Sequence, residues 1–334
     1  MVPKTYLITG AAGFIGFFLS KKLLEQNNAV IGFDNLNQYY DVRLKHARLE
    51  ILKGYSGFIF VKGDVADSDA VTGVLAAHRP DIVVHLAAQA GVRYSITHPR
   101  AYIESNITGF FNILEAVRHS PKRVDHLLYA SSSSVYGNQH KTPFSVGDDV
   151  SKPISLYAAT KKSNELMAYT YSHLYDIPTT GLRFFTVYGP WGRPDMAYFS
   201  FTEKMLKGET IQIYNHGDMK RDFTYIDDIV QGIENMLRRP PKGADPARVY
   251  NIGNNRPEDL LVFVQTLERC LLEEGMIDKP ANKAYLPMQP GDVYQTYADV
   301  SDLMEEFGFK PSTPIETGLG QFVKWYKCFY GGTT

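Results

Sequence analysis

Short apolar runs alternate with amphipathic stretches along the first 185 residues of the chain. The pattern predicts six β-strands, at residues 4–9, 29–34, 58–61, 81–88, 126–130 and 179–185. Helices are predicted after residue 13, at 42–53, at 102–119 and from 157 to about 175, where apolar positions recur with helical spacing. The run 81–88 is apolar almost throughout, as in a parallel strand covered on both faces. Alternating strands and helices predict an α/β fold with a doubly wound parallel sheet.

The regular alternation ends beyond residue 185. Three later stretches have the composition of loops: 187–194, the proline-rich 238–245, and 282–292. We expect a first domain at 1–185, with a return segment near 223–253, and a smaller C-terminal α/β lobe at 186–334. A short strand at 211–214 would belong to this lobe, which would cover the open end of the sheet.

Composition and charge narrow the class of protein. Of the 334 residues, 44% are hydrophobic and 21% charged, which is typical of a globular protein. The net charge of -1 and the pI near 6.8 do not favour a nucleic-acid or anionic-membrane partner. Cys270 and Cys328 fit neither a disulfide framework nor a zinc site, so we expect a cytoplasmic protein without a metal. The chain begins with a strand pattern and has no apolar run of about 18 residues, so we expect no membrane span.

The glycine turn between the first predicted strand and helix carries the clearest chemistry. Gly10, Gly13 and Gly16 follow the strand, and the second strand ends in Asp34. Glycines permit a tight turn and let a diphosphate approach the helix N-terminus, where unpaired N–H groups favour anions. An acid at Asp34 accepts hydrogen bonds from an adenosine ribose and repels a 2′-phosphate. The pattern therefore predicts a Rossmann-type site for NAD rather than NADP, whereas a purely structural turn would leave the acid unexplained.

Two polar residues after later strands have more than one interpretation. Asp64 follows the third strand, and it either meets the adenine or caps the helix that starts near Asp67. Arg93, in the loop 89–95, either binds an anion or is a surface charge. Ala87 and Ala88 end the fourth strand and are small enough to leave room for a cofactor.

The stretch 131–161 contains the candidate catalytic groups. Tyr157 and Lys161 lie four residues apart, so on a helix their side chains share one face. A lysine ammonium beside a phenol favours the phenolate, which can take a proton near neutral pH. The serines at 131–134 would supply hydroxyls opposite that tyrosine. Tyr and Lys at this spacing also occur by chance on surface helices, so the pair gains weight only from the rest of the chain.

These motifs occur together in an order that resembles the extended short-chain dehydrogenase/reductase superfamily, over essentially the whole chain. They are the residues 9–16, 86–88, the Ser-x-Val-Tyr-Gly region at 133–137 and Tyr157-x-x-x-Lys161. Within that superfamily the chain most resembles UDP-glucuronate 4-epimerases. The stretches that carry this resemblance are 33–41, 89–95, 219–228 and 288–293.

The resemblance implies a tightly held NAD and a nucleotide sugar in the C-terminal lobe. It assigns the cofactor to Gly10, Gly13, Phe14, Ile15, Gly16, Asp34, Asn35, Asp64, Val65, Leu86, Ala87, Ala88, Gln89, Tyr157 and Lys161. Tyr157 would be the base, Lys161 would lower its pKa, and Ser132 would order the sugar O4. The residues assigned to the UDP-sugar are Arg93, Ser132, Ser133, Ser134, Thr186, Arg193, Gln212, Tyr214, Arg221 and Asp292. Gln212 and Tyr214 would flank the uracil.

The resemblance also implies how the nucleotide phosphates are held. Arg221 is similar to the arginine that grips the pyrophosphate, because a planar guanidinium suits phosphate oxygens. Arg193 and Asp292 resemble further nucleotide contacts. Related glucose epimerases carry an arginine near the position of Gln289, which this chain lacks. We therefore expect its phosphate clamp to depend on Arg221 and Arg193.

The implied reaction interconverts UDP-glucuronate and UDP-galacturonate through a 4-keto sugar, with transient hydride transfer to bound NAD. That intermediate is a β-keto acid and can lose CO₂. Ser133, Ser134 and Thr186 are candidates to hold the carboxylate by hydrogen bonds, or else are small residues packed near the cofactor. UDP-glucuronate decarboxylases and nucleotide-sugar 4,6-dehydratases carry acids at the positions of Ser133 and Ser134. The alternatives that stay open are a 4-epimerase of neutral UDP-hexoses and, less favoured, a UDP-glucuronate decarboxylase or a non-catalytic dinucleotide-binding protein. A protein of the last kind would usually lack Tyr157 and Lys161.

Two predicted helices, those beginning at Tyr102 and near Tyr157, have more apolar surface than one core needs. In the superfamily, the matching helices form a four-helix bundle between two subunits. The resemblance therefore implies a homodimer.

Overall fold

The computed structural model describes residues 3–139, 141–243, 246–288 and 294–331. Its strands are β1 Thr5–Thr9, β2 Ala29–Asp34, β3 Phe58–Lys62, β4 Ile82–His85, β5 His126–Ser132, β6 Thr179–Phe184, β7 Thr186–Tyr188, β8 Ile211–Ile213, β9 Lys220–Tyr225, β10 Ala247–Ile252, β11 Pro257–Asp259 and β12 Lys283–Tyr285. Its α-helices are α1 Phe14–Glu25, α2 Val42–Lys53, α3 Ser68–His78, α4 Tyr94–Thr97, α5 Pro99–Tyr102, α6 Gly109–Arg118, α7 Leu156–Tyr175, α8 Ala197–Leu206, α9 Ile226–Leu237, α10 Leu260–Glu273, α11 Ser301–Phe307 and α12 Ile315–Tyr330.

A seven-stranded sheet forms the centre of the fold, in the order β10-β6-β5-β4-β1-β2-β3. Every strand pair in it is parallel. The first six strands are those predicted from the apolar runs, and β10 joins them from the later part of the chain by pairing with β6. The prediction of a doubly wound α/β sheet is confirmed.

Helices cover both faces of this sheet because successive strand side chains point to opposite sides. On β1, Leu7 belongs to one buried cluster, and its neighbours Tyr6 and Ile8 belong to the other. Residues of α3 and α6 pack on the Leu7 side. Residues of α1, α2 and α9 pack on the opposite side. The near-continuous hydrophobicity of the central strands follows from this double cover.

The fourth strand is shorter than predicted, ending at His85 rather than at residue 88. Beyond it, Leu86 N donates to the Thr9 carbonyl (3.1 Å) and Ala87 N donates to Thr9 Oγ1 (3.2 Å), so the chain crosses the end of β1. A Cβ at Gly10 would lie 2.8 Å from Ala87 N, so only glycine permits this approach. The strand ends early because its last residues form the wall of a crevice.

The helix predicted at 102–119 is interrupted. A π-helical segment, Ile103–Thr108, separates α5 from α6. Within it, Asn106 is 1% exposed, accepts a hydrogen bond from Gln89 N (2.8 Å) and donates to the Gln89 carbonyl (3.0 Å). A buried polar side chain that must satisfy a neighbouring loop accounts for a π-helical bulge, which is common at functional sites.

The remaining strands form two small sheets, in the orders β11-β9-β7 and β12-β8. The predicted strand at 211–214 corresponds to β8. Beside these sheets, α10 and α12 pack against each other. Among the helices that the structure describes, none combines the length and apolar character that crossing a membrane requires.

Candidate active site

A cavity of about 260 Å³ opens at the carboxyl ends of β1, β2, β4 and β5. Ligands of open parallel sheets bind at this edge, where the strand order reverses. Of the residues predicted to hold the cofactor, all except Asp64 line the cavity: Gly10, Gly13, Phe14, Ile15, Gly16, Asp34, Asn35, Val65, Leu86, Ala87, Ala88, Gln89, Tyr157 and Lys161. We call this cavity the cofactor cleft.

The glycine turn has the close backbone packing that a dinucleotide needs. Gly13 N donates to the Gly10 carbonyl (2.9 Å), and α1 begins directly after Gly13, with no side chain capping its first turn. A Cβ at Gly16 would lie 2.1 Å from the Gly10 oxygen. The N–H groups at the start of α1 therefore remain available to an anion at the cleft. These residues fit the diphosphate of NAD.

Asp34 lies at the end of β2 and is only 7% exposed. Its carboxylate accepts hydrogen bonds from Ala12 N (3.1 Å) and Leu36 N (2.8 Å). A carboxylate has about four acceptor positions, so two remain for ribose hydroxyls. The same charge disfavours a 2′-phosphate, and the cleft fits NAD rather than NADP.

Asp64 does not cap the helix that follows it. The N-cap of α3 is Asp67, which accepts from Asp69 N and Ala70 N, both at 3.0 Å. Asp64 instead accepts from Asn35 Nδ2 (2.8 Å) and from Ala66 N. The capping interpretation is therefore wrong, because a residue three positions later has the extended backbone of an N-cap. Contact between Asp64 and the adenine stays a prediction.

Tyr157 and Lys161 lie one turn apart on α7, and both line the cofactor cleft. Ser155 begins the helix as its N-cap, accepting from Ala158 N (3.1 Å). The Lys161 ammonium donates to the Ala130 carbonyl near the end of β5 (2.9 Å). Burial lowers the pKa of Lys161 to about 8. This lysine ties the helix of Tyr157 to the strand that carries the serine run.

Burial raises the pKa of the Tyr157 phenol, and a hydrogen bond with Ser132 and the charge of Arg193 lower it in part. The net direction is upward. Ser132 and Arg193 are thus the groups that counter the effect of burial on the pKa of Tyr157. The Lys161 ammonium is directed to a backbone carbonyl instead. The predicted lowering of the Tyr157 pKa by Lys161 stays a prediction.

The serine run 131–134 is divided between two cavities. Ser131 and Ser132 line the cofactor cleft, and Ser131 Oγ also donates to Glu165 (2.7 Å). Ser133 and Ser134 begin a short 3₁₀ turn and line a second cavity of about 180 Å³. Ser132 donates to Ser134 Oγ (3.1 Å) and accepts from Ser134 N (3.2 Å). The two cavities are therefore joined through a pair of serine hydroxyls.

Thr186 and Arg221 also line the second cavity, which we call the hydroxyl cavity. Arg221 donates to the carbonyls of Lys220 (2.8 Å) and Tyr294 (3.1 Å). Among the described residues that line this cavity, none carries a carboxylate. Hydroxyl donors and one guanidinium make it suitable for an anionic group.

Arg193, predicted to bind the nucleotide together with Arg221, lies at the cofactor cleft instead of the hydroxyl cavity. Its Nε donates to Asp195 Oδ1 (3.0 Å). Asp195 also accepts from the Tyr39 hydroxyl (3.2 Å). An acid two residues away thus positions the guanidinium on the same side of the molecule as Tyr157.

The residues predicted to flank the uracil lie apart from both cavities. Tyr214 donates its hydroxyl to Gln212 Oε1 (2.9 Å). The Arg93 guanidinium lies 5.0 Å from the centre of the Tyr214 ring, so this exposed arginine has an aromatic partner. Asp292, like the position of Gln289, lies outside the described residues.

Sequence reasoning did not identify Asn106 as part of the site. Its Nδ2 donates to Thr160 Oγ1 (3.0 Å), and its carbonyl accepts from Asn164 (2.7 Å), so it fixes the π-helical segment to the helix of Tyr157. The sequence does contain a signal for it: Asn106 lies next to Ile107 in the apolar stripe of a predicted helix. A polar side chain buried at such a position needs a hydrogen-bond partner.

The fold and the cleft agree with comparisons to known proteins. The chain is 53% identical over 338 residues to Protein CapI of Staphylococcus aureus, covering 97% of this chain and 98% of that protein. It is 47% identical over 338 residues to a probable UDP-glucuronate 4-epimerase of Rhizobium meliloti, covering 96% of each. A crystal structure of a UDP-glucuronic acid 4-epimerase from Bacillus cereus, in complex with UDP-glucuronic acid and NAD, superposes with a TM-score of 0.88 at 34% identity. The superposition covers 98% of this chain and 100% of that one.

The sequence profile of the NAD dependent epimerase/dehydratase family matches residues 6–253. This range contains the glycine turn, Asp34 and the Tyr157–Lys161 pair. The chain therefore belongs to the NAD dependent epimerase/dehydratase family.

Proposed function

We propose that this protein is an NAD-dependent UDP-glucuronate 4-epimerase that interconverts UDP-glucuronate and UDP-galacturonate. Relatives and a superposed structure with that name support the proposal. The observation that carries it is the hydroxyl cavity, where Ser133, Ser134 and Thr186 adjoin the cleft of Tyr157 without a described carboxylate.

Tyr157 is the base in the proposed mechanism. Its phenolate removes the O4 proton of the sugar. It returns a proton to O4 after the 4-keto sugar has rotated in the site to present its other face. NAD, when bound, accepts the hydride from C4 and returns it to the opposite face, so the cofactor is unchanged after each turnover. Ser132 orders O4 by a hydrogen bond, and its contact with the phenol helps to hold the proton at the right atom.

Lys161 keeps this geometry in place. Its ammonium, anchored on the Ala130 carbonyl, fixes α7 against the end of β5. The positive charge beside the cleft favours the ionised phenol of Tyr157. Arg193 adds a second cation near the phenol.

The hydroxyl cavity prevents decarboxylation of the β-keto acid. Loss of CO₂ requires the bond between C5 and the carboxylate carbon to lie perpendicular to the plane of the C4 carbonyl. Hydrogen bonds from Ser133, Ser134 and Thr186 keep the negative charge on oxygen and fix that torsion. Serines in place of acids also remove the general acid and base that elimination chemistry uses.

The nucleotide extends from this cavity into the C-terminal lobe. Arg221 holds the phosphates, and Arg193 reaches the substrate from the cofactor cleft. Asp292 is a further nucleotide contact, and Gln212 and Tyr214 lie beside the uracil. Arg93 adjoins them through Tyr214. We assign the NAD-binding domain to residues 1–185, with the return segment near 223–253, and the sugar-nucleotide lobe to residues 186–334.

A 4-epimerase of neutral UDP-hexoses is the second candidate, because serine hydroxyls also bind a neutral C6 hydroxymethyl group. Initial rates with UDP-glucuronate and with UDP-glucose separate the two. The proposed function requires a clear preference for UDP-glucuronate, and that preference must fall when Ser134 is replaced by Ala. Equal or greater activity on UDP-glucose would favour the second candidate.

We also infer a homodimer. Large apolar side chains on α6 and α7 are exposed in the single chain: Phe111 is 46%, Leu166 58% and Tyr169 53% exposed. Such a patch marks a protein interface in a monomer of this size. Light scattering at micromolar protein should give twice the mass of 37.6 kDa, and a monomer mass would contradict the inference.

We place the enzyme in the cytoplasm, where it would supply UDP-galacturonate for polysaccharide biosynthesis. Neither Cys270 nor Cys328 is in a disulfide, which suits a reducing compartment. Fractionation of cells that produce the protein should find it with cytoplasmic markers.

A further inference from the structure

Arg48 is a buried cation that the proposed mechanism does not use. It lies on α2 and is 0% exposed. It shares the buried face of that helix with Leu44, Lys45, Leu49 and Leu52. Arginines are rarely buried unless their donors are satisfied, because the desolvation of a charge is costly. Its partners therefore indicate what it does.

The guanidinium joins two distant parts of the chain. Nη1 donates to the Ala12 carbonyl (2.8 Å) and to the Tyr40 hydroxyl (2.9 Å). Nη2 donates to the carbonyls of Trp191 (2.5 Å) and Gly192 (3.2 Å). All these acceptors are neutral, and within the described ranges no carboxylate forms an ion pair with Arg48. One nitrogen of the guanidinium, Nη1, thus holds the glycine turn of the cofactor cleft, and the other, Nη2, holds the loop that leads to Arg193.

The held loop has an unfavourable backbone. Trp191 has a φ of +59°, a left-handed conformation that is strained for a non-glycine residue. Its ring packs 5.7 Å from Phe17 on the first cofactor helix and 5.2 Å from Trp325. Arg48 binds the carbonyl of this residue and of the next one, so it stabilises the turn where the backbone is strained.

Arg193 directly follows this turn. It pairs with Asp195, which Tyr39 also binds. Tyr39 is the neighbour of Tyr40, the hydroxyl acceptor of Arg48. The loop that follows β2 is therefore tied to the Arg193 loop at two points, and Arg48 supplies one of them.

We propose that Arg48 is a positioning residue that couples the glycine turn of the cofactor cleft to the loop carrying Arg193. The same side chain then determines both how firmly NAD is held and where Arg193 lies relative to substrate. Coupling between two binding sites is reciprocal, so nucleotide bound in the C-terminal lobe raises the affinity for NAD. The kinetic part rests on the proposed function, whereas the binding part does not.

If Arg48 only stabilised the fold, its replacement would have a different effect from the one that a positioning role predicts. Its loss would lower Tm and the yield of folded protein, but the folded molecules would keep their KM and their NAD. A positioning residue changes both of those properties in folded protein. Because Arg193 lowers the pKa of Tyr157, displacement of Arg193 also moves the pH profile to higher pH.

The experiment compares Arg48→Lys and Arg48→Met with wild type. Arg43→Met is the matched control, since Arg43 lies on the same helix with 72% of its side chain exposed. The readouts are NAD retained after gel filtration, KM and kcat for UDP-glucuronate, and Tm. We expect Arg48→Met to lose NAD and to raise KM at least about tenfold, with kcat changed less. Arg48→Lys should be intermediate, and the control should match wild type.

A double-mutant cycle with Arg193→Met tests the coupling itself. In the Arg48→Lys background, Arg193→Met should raise KM by a smaller factor than it does in wild type. The proposal is overturned if the factors multiply, if Arg48 variants keep wild-type KM and NAD while Tm falls, or if neither variant folds. Arg48→Lys retains the charge and decides the matter if only Arg48→Met fails to fold.

The failure of the proposed function is a separate outcome. If the wild type does not epimerise UDP-glucuronate, KM is replaced by the Kd for UDP measured by calorimetry. NAD retention with and without UDP then still decides the role of Arg48. Wild-type NAD retention and UDP affinity in both variants would overturn it.

Discussion

Replacing Glu165 by Gln should strongly destabilise the protein. Glu165 lies on α7, one turn after Lys161. Glu165 and Arg183 form a bidentate pair, with Nε–Oε1 at 2.8 Å and Nη2–Oε2 at 2.9 Å. Both side chains are only 4% exposed. Glutamine removes the charge and leaves the Arg183 guanidinium buried without its counter-ion.

Breaking a buried ion pair by removing one partner costs about 3–5 kcal/mol, mostly because a charge stays desolvated. For a chain of this size, about 2 °C of Tm corresponds to each kcal/mol, so Tm should fall by roughly 6–10 °C. The serine run is also affected, since Ser131 loses a charged acceptor at 2.7 Å. We therefore expect kcat to fall in the protein that remains folded.

Differential scanning calorimetry at saturating NAD measures the effect. The control is Glu50→Gln, because Glu50 pairs with Lys53 at the same 2.8 Å but with side chains 69% and 52% exposed. Exposed pairs contribute about 0–1 kcal/mol, so this variant should change Tm by no more than about 2 °C. An equal loss in both variants would refute the reasoning that burial, and not distance, makes the pair important.

The same pair fixes the sign of the acid dependence. Burial raises the pKa of Glu165, but the ion pair with Arg183 and the bond from Ser131 outweigh it, and the net pKa is lowered. A carboxylate with a lowered folded-state pKa contributes stability above its unfolded pKa and loses it as the pH falls through the folded value. Wild type should therefore lose stability on acidification more steeply than Glu165→Gln.

Substitutions at four further residues address the chemistry. Tyr157→Phe should lower kcat by roughly 10²–10⁴ while NAD stays bound, and near-full activity would exclude Tyr157 as the base. Ser134→Ala or Thr186→Ala should raise the share of decarboxylated UDP-keto-pentose seen by mass spectrometry; lower turnover without this by-product would remove both residues from carboxylate restraint. Arg193→Met removes a charge that lowers the pKa of Tyr157, so the limb on which kcat/KM rises with pH should move to higher pH. Arg193→Lys should move it less, and an unchanged profile in the Met variant would contradict this role.

Local apolar patterns were sufficient to predict six of the seven strands of the central sheet. Each of its first six strands is a short apolar run, and double burial in a parallel sheet makes such runs visible in sequence. The end of β4 could not be predicted this way. Leu86 and Ala87 are as apolar as the strand, but they turn because their N–H groups bond to Thr9, a residue far away in sequence.

Local motifs also predicted the cofactor cleft, since the glycine turn and Asp34 are close in sequence and their roles follow from backbone geometry. The charged groups were harder to place. Arg48 is charged and would be read as exposed, but it is buried because its acceptors come from loops about 36 and 143 residues away. Arg193 was expected with Arg221, but its nearest partner is Asp195 and it lies at the other cavity. Contacts between residues that are far apart in sequence form only in the folded protein, so no periodic pattern in the sequence predicts them.

One measurement tests the proposed activity most directly. The protein is purified without added NAD, mixed with UDP-glucuronate and followed by proton NMR. The account predicts that UDP-galacturonate accumulates to a constant ratio with its substrate, with no added cofactor and no net reduction of the bound NAD. Absence of UDP-galacturonate, or a decarboxylated sugar nucleotide as the main product, would contradict it.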